Sequence, residues 1–197
     1  MVNMPALHAP PAAGFEVPLE MLAACHERVH GQCATLQRLV RHLAMHGSDP
    51  PAREAAVAVM RYFDTSAGHH HEDEEVDLFP ALIESMAGSD AVCLRDLIAA
   101  LCTDHRALEA RWRSLRRALE QVALGVASTF PSDEVEAFVA LYDQHIAREE
   151  AELLPMAARL LGDVELDRIG LAMRERRGLA PADALGIPPA PPQRHSS

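Results

Sequence analysis

The sequence contains no lysine, so all 18 of its basic residues are arginines, and 29 acidic residues outnumber them. The resulting formal charge of -11 disfavours nucleic-acid binding, which depends on a surplus of basic side chains against phosphates. Aromatic residues make up only 4% of the chain, and this scarcity, together with abundant alanine, favours an all-helical core over a β-sandwich. No apolar run reaches the roughly 18 residues that a membrane-spanning helix needs. We therefore expect one soluble domain.

Cysteine is also sparse, and its spacing excludes the common cysteine frameworks. None of the four cysteines forms a CxxC pair, and Cys25 and Cys33 lie about 12 Å apart along one predicted helix, too far to bridge. Free thiols are typical of a reducing compartment. The first residues, MVNMPALHAPPAAGF, lack the basic segment and apolar run of a secretory signal. The expected localisation is cytoplasmic.

The organisation of the chain follows from its turn-forming residues. Proline-, alanine- and glycine-rich ends, which cannot bury enough surface to offset their ordering entropy, predict flexible tails over residues 1–16 and 179–197. Between them, Gly, Pro, Ser and Asp cluster at 46–51, 86–90 and 130–134, where one helix should end and the next begin. The segment 17–178 is thus predicted to hold four long helices and a short fifth one, from about Val164 to Arg177.

In each long segment apolar residues recur at alternating steps of three and four, the pattern of a left-handed helical bundle. We predict an all-α fold, an up-down-up-down four-helix bundle with a short additional C-terminal helix. The apolar stripes of the first and third helices each contain one histidine, His26 and His105. Those of the second and fourth helices each contain a histidine followed by a glutamate.

An internal repeat contains these histidine–glutamate pairs. Residues 70–80 read HHEDEEVDLFP and residues 145–155 read HIAREEAELLP, so both match HxxxEEx[DE]L[FL]P. Positions i and i+4 share a helix face, so each copy directs an imidazole and a carboxylate toward the same point. Each pair is therefore a candidate bidentate metal ligand.

In an up-down-up-down bundle, six candidate ligands fall within one layer, with heights that differ by roughly 9 Å at the helical rise. They are His26, His70, Glu74, His105, His145 and Glu149. A buried carboxylate without a partner would cost several kcal/mol, whereas a metal turns that cost into binding energy. Four imidazoles and two carboxylates exceed the needs of one tetrahedral zinc. The mixed set suits two iron or manganese ions with bridging carboxylates.

These residues carry a resemblance to a known family. The His26 position, the two HxxxE pairs followed by LFP or LLP, and the Asp104–His105 dipeptide resemble the hemerythrin-like (HHE cation-binding) family over residues 18–160. The resemblance implies a non-haem, oxo- or hydroxo-bridged di-iron centre, with iron preferred over manganese or zinc and with Glu74 and Glu149 bridging. It also implies a role in binding or sensing dioxygen, nitric oxide, peroxide or iron.

The sequence departs from the oxygen-carrying members at two positions. Their third helix carries HxxxH where this chain has Glu109 as the second residue, and their fourth helix carries HxxxxD where this chain has Glu150. Unless Glu109 coordinates, four histidines replace five, and the irons should keep more open positions. This difference favours reaction with peroxide or nitric oxide, or exchange of iron, over reversible oxygenation, and leaves open whether the protein is an oxidoreductase.

Other nearby residues admit plainer interpretations. His30, His69 and His71 lie beside the apolar stripes, because Arg61, Asp64, Gly68, His71 and Glu75 trace a polar face, so solvent exposure is expected for them. In the alternative register, His71 and Glu75 would be the ligand pair. Tyr142 is expected in the core, although it could donate a hydrogen bond to a bound ligand. Pro80 and Pro155 either kink or end their helices.

Two functional hypotheses remain for a metal-binding chain. In the first, the centre binds or reacts with dioxygen, nitric oxide or peroxide. In the second, the chain is an iron or oxygen sensor whose folding is coupled to iron binding and whose folded surface a protein partner reads. A metal-free interaction bundle is the third interpretation.

Overall fold

The structure is a computed structural model that describes residues 14–86, 90–127 and 129–179. All its regular elements are helical, and the described residues contain no strand. Most of the predicted flexible ends, residues 1–13 and 180–197, lie outside the described residues. No helix among those described is both long enough and apolar enough to cross a membrane.

The helices form five rods, two of which contain a π-helical segment. In chain order they are α1 (Pro18–His46), α2 (Pro50–Glu72), π1 (Asp73–Leu78), α3 (Phe79–Ser85), α4 (Asp90–Ala123), α5 (Ser132–Arg148), π2 (Glu149–Leu153), α6 (Leu154–Leu160) and α7 (Asp163–Arg176). The second rod runs continuously through α2, π1 and α3, and the fourth through α5, π2 and α6. The predicted all-helical fold with a short C-terminal helix is confirmed.

The turn residues end and begin the helices as their chemistry requires. Gly47 closes α1 with a positive φ of 66°, a conformation that glycine adopts without a side-chain clash. Asp49 then caps α2, because its carboxylate accepts a hydrogen bond from the Ala52 N–H. Pro50 follows in the first turn, where a missing N–H costs nothing.

The four long rods pack side by side. Helix α1 contacts α2 and α5, and α4 also contacts α2 and α5, so each rod has two neighbours. Two apolar clusters fill the interior. One lies around Phe63, Trp112 and Phe138, and the other around Leu22, Leu101 and Leu153.

A polar layer separates these two clusters along every rod. On α1, for example, Leu22 belongs to one cluster and Val29 to the other, and His26 lies between them. On α4, His105 lies between Leu101 and Leu108 in the same way. Rigid apolar packing on both sides therefore fixes the height of the polar layer.

The fifth rod, α7, packs across α1 and π1. Phe15, from the predicted N-terminal tail, packs with this end of the core, and the guanidinium groups of Arg174 and Arg177 lie 5.5 and 5.6 Å from its ring centre. Close contact is possible because Gly170 has no side chain. A Cβ there would lie 2.1 Å from the Phe15 carbonyl oxygen.

Candidate metal centre

The structure brings the six predicted ligand residues together in the buried polar layer. The side chains of His26, His70, Glu74, His105, His145 and Glu149 are each no more than 2% exposed. Burial of so many ionisable groups is unusual unless they are paired or bind a metal. The structure therefore supports the predicted common layer, in which donors from all four long rods meet.

The two glutamates divide the layer into halves. One Glu74 oxygen lies 3.4 Å from His70 Nε2, and the other lies 3.3 Å from His105 Nε2. One Glu149 oxygen lies 3.1 Å from His26 Nε2, and the other lies 3.1 Å from His145 Nε2. Each carboxylate thus presents one oxygen to the first half, with His26 and His70, and one to the second, with His105 and His145.

The π segments place these glutamates. In π1 the Phe79 N–H donates to the Glu74 carbonyl, and in π2 the Leu154 N–H donates to the Glu149 carbonyl, so each bond spans five residues rather than four. The wider turn accommodates the proline that follows, whose ring would clash in a continuous α-helix. Plain helix termination at Pro80 and Pro155 is therefore wrong, because both rods continue as helix beyond them.

The structure corrects the predicted exposure of His71. Its Nε2 is buried, and its ring stacks on that of His105 with 4.0 Å between ring centres and 14° between planes. Ligand nitrogens of His71, His105 and His145 all lie within 4.8 Å of one another. The polar face of α2 packs toward α4: the Trp112 indole N–H and the Arg116 guanidinium both donate to Asp64.

The alternative register for the second helix is not what the structure shows. His70 and Glu74 occupy the layer together, whereas Glu75 accepts a hydrogen bond of 2.7 Å from His105 Nδ1. Glu109 points away from the buried polar layer: its carboxylate pairs with Arg113 at 2.7 Å, and its side chain is 53% exposed. His30 is also outside the layer and lies 3.3 Å from Asp143.

Acidic side chains hydrogen-bond to the outer nitrogens of two histidines, and a third acidic side chain lies near the outer nitrogen of another. Glu75 faces His105 Nδ1, Glu150 lies 3.0 Å from His26 Nδ1, and Asp104 lies 3.6 Å from His145 Nδ1. A carboxylate at Nδ1 favours the tautomer whose Nε2 lone pair points inward. Glu150 therefore lies in this outer ring of carboxylates.

Arginines in turn support this outer ring. The Arg106 guanidinium donates to Glu75, and Arg148 donates to Asp104 over 2.8 Å. The orienting carboxylates are therefore themselves held in place.

The buried carboxylates have opposite protonation tendencies. Burial raises the pKa of Glu74 well above its usual value, and the neighbouring Glu149 raises it further. Burial acts in the same direction on Glu149, but the adjacent His145 and His26 imidazoles outweigh it and hold the Glu149 pKa well below its usual range. Without metal, these opposite pKa shifts favour a protonated Glu74 beside an ionised Glu149.

Most of the imidazoles are held neutral. Burial lowers the pKa of His70 to about 3 and that of His71 well below its usual value, and burial together with His145 lowers the pKa of His105. His26 differs, because Glu149 and Glu150 raise its pKa by more than burial lowers it. Neutral imidazoles have the free nitrogen lone pair that a metal requires.

Unpartnered atoms show that the layer fits a metal. Several buried atoms here have no hydrogen-bond partner in the part of the chain that the structure describes: His26 Nε2, His70 Nδ1, His71 Nε2, His145 Nδ1 and both carboxylate oxygens of Glu74 and of Glu149. Such atoms are expensive to bury, and native proteins rarely leave them unsatisfied. Coordination of metal ions by these donors would remove most of the cost.

A second set of buried charges lies directly behind Glu74. Asp73 is fully buried, and the guanidinium groups of Arg176 and Arg177 both donate to it. Arg176 also donates to Asp77 over 2.6 Å. Asp73 is thus buried although it stands in the acidic run EDEE (72–75), a pattern that in sequence is typical of a solvent-exposed face.

Comparisons with known proteins agree with the geometry. Residues 17–157 match the model of the hemerythrin HHE cation-binding domain. The chain is also 32% identical to an uncharacterized protein from Haemophilus influenzae over 165 residues, which cover 84% of this chain and 92% of that protein. The family match covers the first three long rods, the fourth rod as far as residue 157, and every residue of the buried polar layer. The chain therefore belongs to the hemerythrin HHE cation-binding domain family.

Proposed function

We propose that the chain is a non-haem di-iron protein that binds or reacts with dioxygen, nitric oxide or peroxide. One iron would be held by His26 and His70 and the other by His105 and His145, with Glu74 and Glu149 bridging them. One observation carries this proposal: each of the two carboxylates presents one oxygen to the histidines of the first half and the other oxygen to those of the second half. The proposed topology is the up-down-up-down bundle.

The donor set favours iron over the alternatives. Four imidazole nitrogens and four carboxylate oxygens exceed a single tetrahedral zinc site, and imidazole with carboxylate is a common combination for non-haem iron. When bound, a pair of irons would supply one-electron redox chemistry and positions open to a small ligand.

The protein's own groups would orient the donors and keep water away. Glu150 and Glu75 would fix the tautomers of His26 and His105 from outside the layer. On one side of the layer, Phe63, Phe138 and Tyr142 pack as an aromatic wall, with 5.2 Å between the Phe63 and Phe138 ring centres. Burial raises the pKa of the Tyr142 phenol, so this side chain stays protonated.

A cavity of about 310 Å³ offers a route to the layer. It is lined by Gly68, His71, Glu75, His105, Arg106 and Glu109, among others. Gly68 faces open space, with no heavy atom within 4 Å of the position a Cβ would take. Because glycine has no side chain to project into this cavity, the cavity stays open for a small ligand or for the metal itself.

Iron quantitation combined with anaerobic spectroscopy tests the proposal. We expect two irons per chain, ferric charge-transfer absorption, and a spectral change when one of the three ligands is added. Glu74→Ala and Glu149→Ala should each lose at least one iron, whereas His30→Ala, outside the layer, should keep both. Retention of both irons by the glutamate variants would contradict the bridging assignment.

A second function, an iron or oxygen sensor, has its own support. Asp73, next to Glu74, is the point where Arg176 and Arg177 attach α7 to the rod. A change at Glu74 could therefore be transmitted to the C-terminal helix, whose position a protein partner could read. Folding that depends on iron, without any spectral response to the three ligands, would favour this function.

A further inference from the structure

His71 has an unpaired buried nitrogen at the second half of the layer. Its Nε2 finds no hydrogen-bond partner within the described ranges. Together with ligand atoms of His105 and His145 it forms a group in which all the atoms lie within 4.8 Å of one another. Three imidazole nitrogens at these distances from one another are near enough to bind one transition metal ion.

The ring of His71 is held in this orientation by its neighbours. It stacks on His105 and meets the His145 ring edge-on, with 5.9 Å between ring centres and 80° between planes. Tyr142 packs against it on another side, at 6.3 Å. Little rotamer freedom remains to be lost on coordination.

The His70–His71 dipeptide reaches both halves of the layer. Consecutive residues on an α-helix point about 100° apart, so neighbours in sequence face different partners. The His70 ring lies 5.0 Å from that of His26, in the first half, whereas the His71 ring lies 4.0 Å from that of His105, in the second. One helix thus contributes an imidazole to each half.

Among the residues that the structure describes, no other side chain competes for this position. Glu109, one turn after His105, is half-exposed and bound to Arg113. Among the described residues, the metal-binding groups at the second half are His71, His105, His145 and the two bridging glutamates. The third rod supplies one histidine there, and the second rod supplies the additional one.

We propose that His71 Nε2 is a fifth histidine ligand, on the same metal ion as His105 and His145. This inference rests on the proposed function, because it concerns the same centre. The two halves then differ, with two imidazoles in the first half and three in the second. The metal ion in the second half should bind more tightly and be taken up first.

Zinc-loaded protein with ¹⁵N-labelled histidine provides a direct test. Zinc is redox-inert and diamagnetic, and long-range ¹H–¹⁵N correlation spectra distinguish a metal-bound imidazole nitrogen from a free one. We expect five histidines with zinc-bound Nε2. His71→Ala should remove one of these five signals, whereas the matched variant His69→Ala, next to it in the chain, should remove none.

The metal affinity adds a second measurement. In competition with a chelator for Fe²⁺, His71→Ala should weaken the binding of one of the two ions. The loss in affinity should exceed the roughly 10–100-fold expected when a residue that only hydrogen-bonds to a ligand is removed. His69→Ala should match the wild type. If His71→Ala does not fold, the count of zinc-bound histidines in the wild type decides the question, and His71→Gln assigns the signal.

The possible outcomes separate this inference from the proposed function. Four zinc-bound histidines, with the His71 signal among the free ones, would refute the fifth ligand while a two-iron centre stands. Uptake of neither zinc nor iron by the wild type would refute both. Equal affinities for His71→Ala and His69→Ala would also refute the fifth ligand.

Discussion

The ion pairs that attach α7 to Asp73, next to the buried polar layer, give the most quantitative prediction. Asp73 is fully buried, and its carboxylate receives hydrogen bonds from Arg176 and Arg177, whose side chains are only 15% and 16% exposed. Replacing both arginines by alanine leaves a buried carboxylate whose two arginine partners are gone. Breaking a buried ion pair by removing one side costs about 3–5 kcal/mol. We expect the double variant to lose about that much free energy of unfolding.

A matched control lies on the same helix. Arg168 is 3.9 Å from Glu84, and both side chains are more than half exposed, at 61% and 71%. An exposed pair of this kind contributes about 0–1 kcal/mol, so Arg168→Ala should change the unfolding free energy little. Urea unfolding of the metal-free proteins, followed by circular dichroism, measures both values.

The same variants report whether α7 supports the metal ligands. Asp73 immediately precedes Glu74 in π1, so loss of its arginines should loosen Glu74 and reduce iron affinity by about 10–100-fold. Arg168→Ala should leave iron affinity unchanged. If the double arginine variant unfolds at the same urea concentration as Arg168→Ala, or binds iron as tightly as the wild type, the structural role assigned to Asp73 is wrong.

Three further predictions follow from single residues. Glu150→Gln should keep both irons but weaken their binding by about 10–100-fold in chelator competition, because an amide orients His26 less strongly than a carboxylate does. Unchanged affinity would argue against the outer ring. The raised pKa keeps Glu74 protonated in the metal-free protein at a pH where free glutamate is ionised, so metal uptake should release this proton and affinity should rise with pH. Calorimetric titration in buffers of different ionisation enthalpy measures that release, and a buffer-independent heat would contradict it. Gly170→Ala should cost about 1–3 kcal/mol of unfolding free energy, because the new Cβ meets the Phe15 carbonyl, whereas Gly31→Ala, which meets nothing within 4 Å, should not destabilise.

The common layer of the six predicted ligand residues could be predicted from sequence because helical periodicity and the repeated motif constrain their positions together. His26 and His105 are single polar residues in apolar stripes, and each repeat aligns a histidine and a glutamate one turn apart. Helical pitch is nearly constant, so heights counted along four rods place these residues in one layer. The structure brings them together there.

His71 and Asp73 could not be identified in this way because their environment depends on which helices pack together. The polar face of α2 looks solvent-exposed in sequence, yet it lies against α4, where Trp112 and Arg116 bind Asp64. Asp73 is buried by arginines a hundred residues away in the chain. Periodicity along one helix contains no information about such partners, although a polar stripe on each of two helices could have suggested the α2–α4 contact.

The EE pairs in the two π segments explain how one motif, present twice, can serve all four long rods. In each EE pair the first glutamate, Glu74 or Glu149, points into the layer, and the second reaches a histidine on a neighbouring rod. Glu75 holds His105 on α4, and Glu150 holds a histidine on α1. The two copies thus supply their own ligands and also orient those of the rods without the motif. Because each half of the layer depends on both copies, a change in either EE pair should disturb both metal positions rather than one.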